Sequence, residues 1–167
     1  FGIVYGISDF GLARQLGISR KEAARYIELY FMRYPGVHTY LKGCVERAKQ
    51  QGAATTLFGR RREMPELKSS NYNTRSFGER VAMNMPIQGT AADIIKLAMV
   101  RVHNELKARG MKSELILQIH DELIIDAVQE EADAAAEILK SCMENVVNLK
   151  VPLLAEVHTG HSWFDTK

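Results

Sequence analysis

The sequence predicts a helix-rich α+β fold in which a small antiparallel sheet, including one hairpin, is backed by helices. Apolar residues recur at three- and four-residue intervals in several segments, which is typical of amphipathic helices. The stretch LILQIHDELII at residues 115–125 contains two β-prone runs joined by polar residues. With 167 residues, 46% of them hydrophobic and 25% charged, the chain is long enough for one globular domain with a sizeable core.

The first long helix is predicted within ISRKEAARYIELYFMRYPG, residues 18–36. Ser19 and Glu22 have the spacing of a capping box, which marks a helix start. Pro35 and Gly36 are expected to end this helix. A second helix follows and is expected to end before Gly52.

A β-prone segment, AATTLF, leads into the basic stretch GRRR. We expect this stretch to form a turn whose arginines are candidates for binding phosphates, although a merely solvated basic turn explains them equally well. Residues 63–73 are predicted to form a loop. The candidate phosphate-binding residues are Arg60, Arg61 and Arg62.

The next helix is predicted from about Thr74 to residue 85, where Pro86 and Gly89 are expected to interrupt it. Thr90 and Asp93 have the spacing of a new cap, so we expect a further helix that continues to residue 110. Two strands near 114–119 and 123–127, a helix near 130–147 and a last strand near 153–158 complete the prediction.

A polar stripe lies on the helix that contains GERVAMNMPIQGTAAD. Arg80, Asn84 and Gln88 recur at i, i+4 and i+8, which places them on one helix face. All three side chains donate hydrogen bonds, and every base pair offers acceptors in the minor groove. Such a face can hold a nucleic-acid duplex without reading its sequence, although it can also simply face solvent.

The predicted hairpin presents charge at its tip. Asp121 and Glu122 interrupt an aliphatic run, and an unpaired buried charge would be costly. Two hydrophobic arms that hold a turn rigidly can preorganise carboxylates for a hard cation such as Mg²⁺. A solvated hairpin tip is the alternative explanation.

Charge is distributed unevenly. Residues 1–112 carry 19 Lys and Arg against 9 Asp and Glu, a net charge of +10, whereas residues 113–167 carry 3 against 11, a net charge of −8. This asymmetry suits a protein that holds a polyanion and places carboxylates beside it.

No apolar run approaches the roughly 18 residues of a membrane helix. No signal peptide opens the chain, so we expect a cytoplasmic protein with reduced thiols at Cys44 and Cys142.

The opening FGIVYG lacks an initiator Met and carries Phe1 and Tyr5 at i, i+4. This pattern indicates a helix entered midway, so we expect the chain to be part of a longer protein.

Four motifs, FGIVYG, TLFGRRREMPEL, NMPIQGTAAD and QIHDE, in this order and at these separations, resemble the C-terminal part of the polymerase domain of the bacterial DNA polymerase I family (family A). The resemblance extends to the closing VPLLAEVHTGHSWFDTK. It implies that residues 1–167 comprise the C-terminal part of the palm and part of the fingers. Ile119, where the family usually has Val, and Val81, where Met is common, are volume-tolerant differences.

The resemblance also implies roles for individual residues. Phe1 would lie beside the nucleotide sugar and Tyr5 near the templating base. The face formed by the stripe residues would hold the primer–template duplex near its growing end. QIHDE would be the palm's catalytic turn. Its implied metal ligands are Asp121 and Glu122, the first more firmly than the second, and its implied primer-terminus residues are His120 and Gln118.

The implied reaction is attack of a primer 3′-hydroxyl on the α-phosphate of a deoxynucleoside triphosphate (dNTP), assisted by two Mg²⁺ ions. The implied partners are primer–template DNA, dNTP and the upstream remainder of the polymerase chain, with no membrane. The family's other metal-binding Asp lies upstream of residue 1, so the 167 residues alone are expected to be inactive.

Two other functions remain open from the sequence. One is a non-catalytic module that binds duplex DNA and has kept the fold without the chemistry. The other is the palm of a single-subunit RNA polymerase, which shares this architecture.

Overall fold

The computed structural model describes residues 2–166, so the predicted role of Phe1 lies outside the described residues. Contacts divide the chain into two compact units, Phe1–Thr90 and Ala91–Lys167, where the composition suggested one domain. Helices dominate both units, and each contains one two-stranded antiparallel sheet. The predicted fold class, helix-rich α+β with small antiparallel sheets, is confirmed.

The first unit opens with hydrogen-bonded turns rather than a helix. Gly6 has a positive φ of 77°. Its N–H donates to the Ile3 carbonyl, and the Ile7 N–H donates to the Gly2 carbonyl at 2.9 Å. This pair of bonds around a left-handed glycine is the Schellman pattern with which helices commonly end. The expected helix in FGIVYG is therefore represented, among the described residues, by a helix-terminating turn.

Three helices follow: α1 (Asp9–Leu16), α2 (Arg20–Arg33) and α3 (Pro35–Gln51). The capping box predicted for α2 is present, with Ser19 Oγ accepting from the Glu22 N–H at 3.2 Å and the Glu22 carboxylate accepting from the Ser19 N–H at 3.0 Å. Pro35 both ends α2 and begins α3, because proline is compatible with the first turn of a helix. Gly52 ends α3 in the left-handed conformation, as predicted.

Strands β1 (Ala53–Thr55) and β2 (Arg61–Glu63) form the first sheet. Two of the three arginines predicted to form a turn are therefore in a strand, and only Arg60 lies in the connection. The connection closes when the Arg60 N–H donates to Thr56 Oγ1 at 3.1 Å. The predicted loop at 63–73 is wrong in part, because Pro65–Lys68 form a 3₁₀ helix.

Helix α4 (Tyr72–Ala108) continues without interruption through Pro86, contrary to the sequence prediction. Proline removes only the bond that the N–H of residue 86 would donate to the Ala82 carbonyl, one turn earlier. One turn later, Thr90 Oγ1 donates to the Pro86 carbonyl and accepts from the Leu57 N–H, which ties this part of the helix to the segment after β1. Asp93 lies buried in the helix interior and does not cap a new helix.

The second unit contains β3 (Glu114–Ile119) and β4 (Glu122–Asp126), which form the predicted hairpin, followed by α5 (Ala132–Glu144). The predicted helix at 130–147 is shorter than expected because a 3₁₀ turn at Gln129–Glu131 precedes it. The core brings together one face of the last part of α4, one side of the hairpin and one side of α5. Its buried members include Ala98, Val102, Leu123, Ala135 and Ile138.

The last predicted strand, near residues 153–158, is not a strand in the structure. Its side chains nevertheless alternate between partly buried and exposed from Leu153 to His158, the period of an extended segment with one covered side. A strand is defined by pairing, and none of residues 2–166 pairs with this segment.

Both cysteines are free thiols, buried at Cys44 and half-buried at Cys142, as expected. No helix among the described residues is long and apolar enough to cross a membrane.

Candidate functional site

The candidate catalytic turn is the two-residue tip of the β3–β4 hairpin. Ile119 pairs with Glu122, which leaves only His120 and Asp121 in the loop. Leu123, the next residue along β4, is buried in the core. The polar tip agrees with the sequence prediction, but the expectation of two buried arms is wrong for β3, where Ile116 and Leu117 are exposed. Leu123 of β4 anchors the hairpin in the core.

His120 has a φ of 52°, the only positive φ of a non-glycine residue among residues 2–166. This conformation costs an L-residue on the order of 1 kcal/mol and is usually assigned to glycine in tight hairpin loops. Gln118 supports the strained turn, because its Nε2 donates to the His120 carbonyl at 2.9 Å. The structure thus gives Gln118 a bracing contact that the sequence did not predict.

The two adjacent carboxylates differ in their surroundings. Asp121 and Glu122 are both exposed. Glu122 Oε2 accepts a hydrogen bond from the indole Nε1–H of Trp163 at 3.3 Å. Trp163 was not predicted as a site residue, since it lies 41 positions along the chain and no spacing rule connects the two.

The Glu131 carboxylate holds together the two ends of the hairpin that lie away from its tip. Glu131 accepts hydrogen bonds from the N–H groups of Lys112 and Ser113, and from Ser113 Oγ at 2.6 Å. Ser113 Oγ in turn accepts from the Val128 N–H at 3.1 Å. The Ser113 hydroxyl and the two backbone donors lower the pKa of the Glu131 carboxyl below its usual value. This network joins the residues just before β3 to those just after β4.

In the first unit, the polar stripe of Arg80, Asn84 and Gln88 lies on the side of α4 opposite to its buried residues. Gly78 and Ala82 are buried. A Cβ added at Gly78 would lie only 2.9 Å from Glu66 Cβ, which shows how closely α4 approaches the 3₁₀ helix. Because each helical residue advances by about 100°, Arg80 lies about 200° around the helix from Gly78.

The predicted stripe residues also contact the opening segment. Asn84 Nδ2 donates to the Tyr5 carbonyl at 3.4 Å. A Cβ added at Gly6 would lie 3.2 Å from Arg80 Cγ. Gln88 is exposed, and Tyr5 is 40% exposed. The structure therefore places the backbone of Tyr5 and Gly6 beside Asn84 and Arg80 of the stripe.

The candidate phosphate-binding arginines are partly engaged within the protein. Arg61 Nε lies 2.8 Å from Glu63 Oε1, and Arg62 Nη2 lies 3.9 Å from Glu66 Oε1. Both arginine side chains remain about half exposed, at 55% and 49%. They can still offer donors to a phosphate, but their net charge is reduced by these carboxylates.

The hairpin tip has the donor chemistry of part of a magnesium site. Carboxylate oxygens suit Mg²⁺, which is commonly held by one or two carboxylates while water or phosphate oxygens complete its shell. Among the described residues, no group of three or more Asp, Glu, His or Cys side chains could enclose a metal ion. Asp121 and Glu122 therefore fit a shared, incomplete ligand set rather than a closed one.

Hydrogen-bond donors on a helix face and exposed carboxylates at a hairpin tip are each suited to proteins that handle phosphate-containing polymers. Over residues 1–165 the chain matches DNA polymerase family A, and it belongs to that family.

Its relatives are bacterial enzymes of considerably greater length. The chain is 56% identical over its whole length to DNA polymerase I of Caldicellulosiruptor bescii and 53% identical to that of Bacillus caldotenax. It spans 20% and 19% of these two relatives, about a fifth of their length. A solved structure, the POL domain of Pol1 from M. smegmatis in complex with DNA primer-template and dNTP, has a TM-score of 0.95 at 44% identity. That match covers 99% of this chain and 29% of the other.

Proposed function

We propose that the protein containing this chain carries out template-directed DNA synthesis, and that residues 1–167 form the C-terminal part of the palm and part of the fingers. In this reaction the primer 3′-hydroxyl attacks the α-phosphate of a dNTP, a new phosphodiester bond forms, and pyrophosphate leaves. The observation that carries the proposal is the exposed Asp121 at a braced, conformationally strained hairpin tip within a family A chain.

Asp121 would act as a metal ligand, with Glu122 as an auxiliary carboxylate. Two Mg²⁺ ions, when bound, would make the 3′-hydroxyl more nucleophilic and stabilise charge on the leaving phosphate oxygens. The contribution of the chain is positional. The buried Leu123 of β4 anchors the hairpin that carries Asp121, and Gln118 holds the turn through the His120 carbonyl. The His120 side chain would lie near the primer terminus. An additional Asp from the upstream remainder of the polymerase would complete the ligand set.

The second part of the proposal concerns DNA. The stripe of Arg80, Asn84 and Gln88 would donate hydrogen bonds to minor-groove acceptors of the primer–template duplex. Tyr5 would lie near the templating base, and Phe1 beside the sugar of the incoming nucleotide. The three arginines at 60–62 would contact backbone phosphates, which makes binding dependent on salt. The solved relative in complex with DNA primer-template and dNTP supports these partners.

The relatives named above are bacterial DNA polymerase I enzymes, which supports a bacterial setting. We propose that this protein serves DNA replication and repair in a bacterial cytoplasm, in association with the nucleoid.

A primer-extension assay tests the proposal. The intact gene product, supplied with Mg²⁺ and a primed template, should add deoxynucleotides far faster than ribonucleotides, whereas the 167-residue chain alone should add neither. Preferential incorporation of ribonucleotides would indicate an RNA polymerase. Duplex binding without any incorporation would indicate a non-catalytic module, and either result would refute the proposal.

A further inference from the structure

The hydrogen bond between Trp163 and Glu122 connects the end of the chain to the candidate catalytic turn. Glu122 begins β4 and is exposed, so nothing in its own strand determines the orientation of its carboxylate. A glutamate side chain that is free to rotate must be ordered when it acts, and that ordering costs free energy. The indole Nε1–H of Trp163 meets Glu122 Oε2 at 3.3 Å and restricts this freedom.

Trp163 is itself held by a compact turn. Ser162 Oγ donates to Asp165 Oδ2 at 2.7 Å, and the Asp165 N–H donates to the Ser162 carbonyl at 3.0 Å. Thr166 Oγ1 donates to the Trp163 carbonyl at 2.8 Å. A Cβ added at Gly160 would lie only 2.7 Å from Asp165 Cβ, so the chain folds tightly back on itself here.

The segment that leads to this turn is fastened to the core of the same unit. Leu153 packs against the core cluster, and the Ala155 N–H donates to Glu144 Oε1 at 3.1 Å. The turn at residues 160–166 therefore extends from an anchored segment. Trp163 remains 40% exposed, so most of its surface is covered while its N–H reaches the glutamate.

We propose that Trp163 is a positioning residue whose indole N–H orients the Glu122 carboxylate beside Asp121, so that the catalytic turn binds divalent cations in a preorganised state. This inference rests on the proposed function. Groups that hydrogen-bond to metal-binding carboxylates fix their orientation, and their loss commonly weakens metal binding by about 10–100-fold. Because this contact is exposed and relatively long, we expect an effect at the lower end of that range.

The first test measures primer extension by the intact gene product as a function of Mg²⁺ concentration. Trp163→Phe keeps most of the ring and removes the N–H, so the Mg²⁺ concentration at half-maximal rate should rise about tenfold while the rate at saturating Mg²⁺ changes little. Phe164→Leu is the matched control, since Phe164 is the adjacent aromatic residue and is 87% exposed. It should leave the Mg²⁺ dependence unchanged.

A double-mutant comparison separates positioning from a general structural effect. In a Glu122→Ala background, Trp163→Phe should cause no further change in Mg²⁺ dependence, because its partner is already absent. Additive effects of the two substitutions would overturn the proposal. So would a Trp163→Phe titration curve that superimposes on that of the unaltered protein.

A second readout does not depend on catalysis. With 5-fluorotryptophan incorporated, the ¹⁹F resonance of Trp163, assigned as the signal lost in Trp163→Phe, should shift in Glu122→Ala, and Mn²⁺ alone should broaden it. A resonance that responds to neither change would refute the inference even if Trp163→Phe folds poorly. If the intact protein synthesises no DNA at any Mg²⁺ concentration, the proposed function fails, and this spectroscopic test still decides whether Trp163 orients Glu122.

Discussion

Gly78 offers a test of how α4 is positioned. Alanine is favoured over glycine in a helix interior by about 1 kcal/mol, so Gly78→Ala would ordinarily stabilise the protein. At this position the new Cβ would lie 2.9 Å from Glu66 Cβ and 3.2 Å from the Leu67 nitrogen, well inside the 3.5–4.0 Å typical of carbon contacts. The Leu67 nitrogen belongs to the backbone of a 3₁₀ helix and cannot rotate away.

The size of the effect follows from these opposing contributions. Overpacking of this kind costs about 1–3 kcal/mol, which exceeds the gain in helix propensity. We therefore expect Gly78→Ala to lower the local stability of the first unit by up to about 2 kcal/mol. It should also weaken duplex binding, because the displaced helix carries Arg80 and Asn84.

Gly43→Ala is the matched control within α3. Its added Cβ would meet only the Arg47 guanidinium, with Nη1 at 3.0 Å and Cζ at 3.8 Å, and this group is the end of a flexible side chain. We expect Gly43→Ala to increase local stability by about 0.5–1 kcal/mol.

The assay is amide hydrogen exchange of the intact protein, read on peptides from α3, from α4 and from the 3₁₀ helix at Pro65–Lys68. Gly78→Ala should accelerate exchange in the last two, whereas Gly43→Ala should slow exchange in α3. Slower exchange in α4 after Gly78→Ala would refute the close-packing argument.

Three further substitutions test other parts of the site. His120→Gly should relieve the strained backbone and raise the free energy of unfolding by about 1 kcal/mol, measured by denaturation, yet it should slow primer extension because the ring is lost. The low pKa of the Glu131 carboxyl means that its stabilisation is complete above its unfolded value, near 4.5, and is lost as the pH falls through the folded value. Glu131→Gln should therefore flatten the loss of stability measured below about pH 4.5; an unchanged acid profile would exclude this role. Gln88→Ala should weaken binding of the primer end equally for all duplex sequences, and a new sequence preference in a binding assay would contradict minor-groove recognition.

Elements with local signals were predicted well from the sequence. The capping box of α2 and the glycine that ends α3 involve residues close together in the chain. The hairpin was predicted because β-prone runs flank a short polar break, and its two-residue loop fixes the register that places Leu123 in the core. Such features require only nearby residues, so the sequence contains nearly all the information that determines them.

Features that depend on distant contacts were missed. Helix α4 continues through Pro86, and one turn later Thr90 accepts a hydrogen bond from Leu57, 33 positions away. A strand was predicted near residues 153–158, and the segment is extended with one covered side, but a strand also requires a pairing partner, which no local pattern can supply. Trp163 could not be assigned to the site for a similar reason, since only the fold brings it to Glu122.

Replacement of Asp121 by asparagine tests the central claim most directly. The substitution preserves size and removes the charge, so the rate of single-nucleotide addition at saturating Mg²⁺ should fall on the order of a thousandfold or more, while affinity for the duplex is retained. Asp126→Asn, at the other end of β4, should leave the rate near that of the unaltered protein. An Asp121→Asn protein that adds nucleotides at a near-normal rate would contradict the assignment of this hairpin as the cation-holding turn.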